Sequence, residues 1–139
     1  MLKLSVPGPP CGKARPHFTR KGIAFTPKKT RTTEAYIRAL FVQKYPDHTP
    51  FDGPLEMTVM AFFEIPKSAS RKNQDLMLFG KIRPTKKPDM SNIYKLAEDA
   101  LNAVAYRDDS AIVAIDGEKK YDRRPRLEII IRKPGEEDE

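Results

Sequence analysis

The 139-residue chain contains no tryptophan, a single cysteine (Cys11) and only two histidines, His17 and His48. One thiol excludes an intrachain disulfide and points to a reducing compartment, the cytoplasm. The histidines are isolated and Cys11 has no partner thiol, so no zinc spacing exists. No apolar stretch approaches the roughly 20 residues of a membrane span, and the N-terminus lacks the apolar run of a signal peptide. Walker and G-x-G-x-x-G sequences are missing as well, so no nucleotide cofactor is expected.

Acidic residues are scarce in the first two thirds of the chain. Residues 1–88 carry 17 Lys and Arg against 6 Asp and Glu, whereas residues 89–139 carry 9 against 13, so the net charge of +7 conceals two opposite biases. Glu34, the first acidic residue, follows eight basic ones, and Lys67–Lys87 holds seven basic residues against Asp75 alone. Folded proteins usually intersperse their charges, so two acid-poor segments suggest a polyanion-binding surface more than a basic face kept for solubility. Lys13, Arg15, Arg20, Lys28, Lys29, Arg71, Lys72, Lys86 and Lys87 are the candidate nucleic-acid contacts.

Thirteen prolines cut the chain into short units. Leu2–Val6 alternates like a strand and stops at Pro7-Gly8-Pro9-Pro10. Residues 7–31 read as a basic loop, with a short hairpin around Gly22 that pairs Ile23–Phe25 with Phe18. Thr32 or Thr33 caps a helix carrying Tyr36, Ile37, Leu40, Phe41 and Tyr45. Leu55–Ile65 reads as a strand, and residues 67–88 as a long basic loop with a short helix near Asp75–Leu78. Ile93, Leu96, Ala97, Ala100, Leu101 and Val104 recur at helical spacing. Ala111–Ile115 and Leu127–Ile131 most simply form a hairpin. The order β-α-β-α-β-β implies one α+β domain over residues 1–134, a mixed sheet covered by two helices, with a disordered acidic tail over 135–139.

The chemistry concentrates in residues 88–109. Asp89 opens the second helix, Lys95 points away from its apolar stripe, and Asp108-Asp109 follow its end. Carboxylates bind a hard cation such as Mg²⁺, and a lysine nearby can stabilise a phosphorane. Each residue also has a structural reading: Asp89 as a cap, Lys95 and Asp99 as an exposed i,i+4 pair, and Asp108-Asp109 as turn residues. Asp89 and Asp109 meet only if the chain doubles back or a neighbouring subunit brings them together. Pro88-Asp89 with Glu118-Lys119-Lys120 also matches the short PD…(D/E)xK pattern of restriction-type nucleases.

Lys87-Pro88-Asp89-Met90-Ser91-Asn92-Ile93-Tyr94-Lys95, then Asp99-Ala100-Leu101, Tyr106-Arg107-Asp108-Asp109 and Lys119-Lys120-Tyr121, resemble the RusA family of crossover-junction endodeoxyribonucleases, common in prophages. Pro7-Gly8-Pro9-Pro10, Arg15-Pro16 and Thr26-Pro27-Lys28-Lys29 resemble its phage-type members, so the likeness spans nearly the whole chain. The resemblance implies a homodimeric, Mg²⁺-dependent (or Mn²⁺-dependent) nuclease that resolves Holliday junctions in DNA recombination and repair. It places catalysis on Asp89, Lys95 and Asp109, the metal on Asp89, Asp109 and Asp108, and supporting roles on Ser91 and Asn92. Ser91 departs from the second aspartate of many relatives. Ser91 acting through water, Asp108 or Glu64 supplying the oxygen, or reduced activity would each follow. A catalytically impaired binder of branched DNA and a basic RNA-binding domain are the competing functions.

Overall fold

Leu2, Leu4 and Val6 alternate with Lys3, Ser5 and Pro7, and in the computed structural model, which describes residues 1–136 except Arg15 and Thr26, they form β1 (Leu2–Pro7) with the apolar members buried. The two-residue strands β2 (His17–Phe18) and β3 (Ala24–Phe25) make the small hairpin expected around Gly22. β4 (Leu55–Glu64) buries Leu55, Met57, Val59, Ala61 and Phe63 on one face. β5 (Ile112–Asp122) lies parallel to β4, and β6 (Arg126–Arg132) runs antiparallel to both β4 and β1. The sheet order is β1-β6-β4-β5, a mixed sheet.

Two helices cover one face of that sheet, α1 (Lys28–Lys44) and α3 (Met90–Leu101), and they pack on each other. Ile37 and Phe41 from α1 meet Ile93, Leu96, Ala97, Ala100 and Leu101 from α3 over the inward side chains of β1, β4 and β6. The expected α+β class and the order of main elements hold. Within the basic segment, α2 (Arg71–Leu78) is longer than the short helix expected near Asp75–Leu78; the Ser70 hydroxyl caps it by accepting from the Asn73 amide at 3.2 Å, and it packs beside β5. No helix is long and apolar enough among the described residues to cross a membrane.

Two local expectations need correction. β5 and β6 are not a hairpin: residues 123–125 cross the end of β4, which lies between them. β4 has the most continuous apolar face and takes an inner position, whereas the charged half of β5 suits an exposed edge. β5 closes on β4 only because residue 117 is glycine, at φ +155°; a Cβ there would overlap the Val59 carbonyl oxygen. The first helix starts at Lys28 behind Pro27, so Thr32 and Thr33 are inside it and donate to the Lys28 and Lys29 carbonyls at 2.9 Å. The acidic tail begins tied down, with the Glu136 carboxylate 3.2 Å from the Met1 ammonium, and residues 137–139 are outside the described residues.

Candidate active site

Asp89 follows a bend over residues 86–88 and stands at the N-cap of α3 with extended backbone, its carbonyl accepting from the Ile93 amide at 3.1 Å. Among the described residues the Asp89 carboxylate caps nothing and makes no ion pair, so the helix does not explain it. The loop Pro10–Ala14 is pressed against this turn. A Cβ on Gly12 would come within 2.9 Å of the Pro88 Cβ and 3.0 Å of the Asn92 Cβ, so only glycine lets the backbone lie this close. The Lys13 amide donates to the Asn92 carbonyl at 2.9 Å, and the Ala14 amide to the Thr30 hydroxyl at 3.4 Å. Between loop and helices runs a groove of about 650 Å³, lined by the loop, His17, the start of α1 from Lys29 to Thr33, and Lys87–Asp89 with Asn92.

The basic residues divide. Lys29 and Lys87 face the groove, and Arg20, Lys28, Arg71 and Lys72 are exposed. Lys86 is exposed with its ammonium 5.6 Å from the Phe63 ring centre. Lys13 does not behave as a free phosphate contact: its ammonium sits 2.6 Å from Glu34 on α1 and 3.1 Å from Asp99 on α3. Burial works against the charge, but the hydrogen bonds to Glu34 and Asp99 outweigh it and hold the ammonium above its ordinary pKa. Arg15 is outside the described residues.

The two neighbouring aspartates also divide. Asp108 caps a 3-10 turn (Asp109–Ala111) by accepting from the amide and the hydroxyl of Ser110, and these hydrogen bonds lower its pKa. The Asp109 carboxylate has no hydrogen bond or ion pair among the described residues. Its charge acts on Glu98 of α3, whose carboxyl is pushed above the usual range by burial first and then by Asp109 and Asp99, with Lys95 opposing. Lys95 is exposed and makes no ion pair among the described residues, because Asp99 is engaged by Lys13 and not by its i,i+4 neighbour. Glu98 is legible in the sequence only as the polar position three residues beyond Lys95, and His17, isolated in the chain, gives no signal of its place on the groove wall.

Asp89 thus meets the groove at the start of α3, while Lys95, Glu98 and Asp109 share a field farther along a helix about 18 Å long. Among the described residues, no three His, Cys, Asp or Glu side chains gather closely enough to hold a metal ion. The PD…(D/E)xK alternative loses its geometry. Glu118 pairs in register with Met60, on the sheet face away from α3, and lies 3.4 Å from Arg83 and 3.5 Å from Lys120. Glu64 closes β4 beside Asp122, and Ser91 is exposed in the first turn of α3.

Comparison with known proteins adds what geometry leaves open. The sequence profile of a family described as endodeoxyribonuclease RusA matches residues 7–132. The chain is also 35% identical over 136 residues to the uncharacterized protein YqaN of Bacillus subtilis (strain 168), an alignment covering 94% of this chain and 95% of that one. The profile match takes in both basic segments, the groove, α3 and the Asp108-Asp109 pair.

Proposed function

Because the chain belongs to the RusA family of endodeoxyribonucleases, we propose that it is a Mg²⁺-dependent nuclease that binds four-way DNA and resolves it by paired nicks, acting as a homodimer. The observation that carries this reading is that two carboxylates have no hydrogen bond or ion pair among the described residues: Asp89, on a groove lined also by Lys29 and Lys87, and Asp109, which with Lys95 acts on Glu98 farther along α3. Hard carboxylate oxygens without internal partners fit a divalent cation, which commonly takes only one or two protein carboxylates beside water and phosphate. Mg²⁺ held by Asp89 and Asp109 would polarise the scissile phosphodiester. Lys95 would offset charge building on the phosphate oxygens. Asn92 borders the groove, and Ser91 stands where water, not an aspartate, completes the oxygen set.

A junction has near-twofold symmetry and needs two cuts, whereas one chain of this size offers one site, so two copies related by a twofold match the substrate. The second copy is also a source of the oxygen ligands that a single chain leaves apart. Phosphate contacts from Arg20, Lys28, Lys29, Arg71, Lys72, Lys86 and Lys87 supply most of the affinity, and branch shape supplies selectivity.

Incubation with labelled duplex, flap and four-way DNA in Mg²⁺ tests the reading. Symmetric nicks confined to the four-way substrate support it. A mobility shift without products would leave a junction-binding protein. Equal competition by double-stranded RNA would overturn the DNA assignment. Asp109→Asn is expected to abolish cutting and to keep or tighten junction binding, because it removes negative charge beside a phosphate. Loss of binding in step with cutting would make Asp109 structural.

A further inference from the structure

Lys13 lies in the groove that would receive DNA, yet its ammonium is committed elsewhere. Its side chain is 16% exposed and bridges Glu34 and Asp99, themselves 17% and 29% exposed, which reach it from the two helices that cover the sheet. Two carboxylates brought together across a helix–helix contact repel each other and lose hydration, and an ammonium between them relieves both costs. One positive charge against two negative ones leaves nothing over for a phosphate. The same residue also touches the catalytic turn through its backbone, since its amide donates to the Asn92 carbonyl at 2.9 Å. Gly12 beside it lies flat on Pro88 and Asn92, the residues flanking Asp89 on the groove wall.

We propose that Lys13 is a positioning residue: its paired contacts with Glu34 and Asp99 clamp the Pro10–Ala14 loop onto the first turn of α3, and this holds Asp89 at the groove. The inference rests on the reading of Asp89 as a metal ligand. It assigns Lys13 a role opposite to the one its charge suggests, attached to the protein's own carboxylates and not to the nucleic acid. Misplacing a ligand by a fraction of an ångström is felt in turnover far more than in binding. The clamp therefore predicts an effect on kcat without one on affinity.

The test compares Lys13→Met, Lys13→Arg and the double variant Lys13→Met/Asp99→Asn on four-way DNA. Lys13→Met is expected to lower kcat about tenfold or more and to raise the Mg²⁺ concentration needed for half-maximal cutting. Its junction affinity in metal-free buffer, and the salt dependence of that affinity, should stay at the wild-type values. Lys13→Arg, which keeps the charge, should retain most of kcat, and the double variant should recover part of it by removing one stranded carboxylate. Gly12→Ala lifts the loop without touching the ion pairs and should reproduce the kcat-selective loss. A salt slope lower by roughly one unit with kcat preserved would make Lys13 a phosphate contact and overturn the proposal. So would a Lys13→Arg variant as impaired as Lys13→Met. Hydrogen exchange at the Ile93 amide, which reports the Asp89 turn directly, should accelerate in Lys13→Met. This readout is independent of cutting: acceleration in a protein that never nicks DNA would keep the clamp and discard the nuclease reading, and unchanged exchange would discard the clamp.

Discussion

Asp108 and Asp109 share a sequence motif and carry different duties. Asp108 has its carboxylate bound to Ser110, whereas the Asp109 carboxylate has no hydrogen bond or ion pair among the described residues. Asp108→Asn is therefore expected to leave cleavage within a few-fold of wild type, in contrast to the abolition expected for Asp109→Asn, with initial nicking rates as the measurement. A second carboxylate has a purely structural role. The hydrogen bond from Arg126 holds the Asp122 carboxyl below its ordinary pKa, only partly offset by burial. A lowered folded-state pKa means that this contribution is present above the ordinary carboxyl value and is lost as pH falls through the folded one. Asp122→Asn should flatten the acid side of the stability curve below about pH 4, read as urea midpoint against pH, and leave the slope near pH 7 unchanged. At this scale the sequence singles out Asp89, Lys95 and Asp109 as candidates through their likeness to the RusA pattern. It hides the fate of Lys13, because the partners Glu34 and Asp99 are distant in the chain and counting charges cannot pair them.

Elements carry their own constraints. α3 ends at Leu101, and Ala103, just past the Asn102 cap, is exposed with φ +69°. Glycine is the residue that enters the left-handed region at helix ends without steric cost. Ala103→Gly is expected to stabilise the fold by about 1 kcal/mol, a rise of roughly 3 °C in Tm by calorimetry. Gly117 is the reverse case: Gly117→Ala drives a methyl into the Val59 carbonyl and should unfold or severely destabilise the sheet, seen as loss of a cooperative melt. Helical periodicity makes α3 legible, though it runs on to Val104, three residues past the observed end at Leu101. The start of α1 is misread from the sequence because Thr32 and Thr33 resemble caps, while Pro27, whose ring already fixes φ, begins the helix without one. The run Ala111–Ile115 is readable as a strand, but nothing in its pattern names its neighbour.

On the scale of the whole molecule, Lys29 and Lys87 line one groove from two different elements. α1 begins with Lys28 and Lys29 and has no acidic residue in its first turn, an arrangement that opposes the helix dipole and suits an anion that arrives from outside. Replacing both by glutamine should weaken junction binding and lower its salt slope by roughly 0.9 for each phosphate no longer neutralised. The same change should raise the stability of the free protein by a few tenths of a kcal/mol. Opposite signs in the two assays would mark these lysines as kept for binding and not for the fold. The α+β class is legible from alternation and periodicity, and the acid-poor segments foretell a basic surface; strand order is not, because it depends on which apolar faces meet in space.

The passage of residues 123–125 across the end of β4 has a consequence in time. Every pairing in the four-stranded sheet joins residues far apart in the chain, and even the shortest-range one, Leu55 with Ile112, spans both α2 and α3. No turn-closed pair of strands is available to nucleate this sheet, so loop-closure entropy must be met before any of its ladders forms. Such topologies fold on the millisecond-to-second scale. The newly made chain has to bring β4 between its two late-arriving neighbours before either can settle, and until then it exposes the strand edges on which misassembly begins.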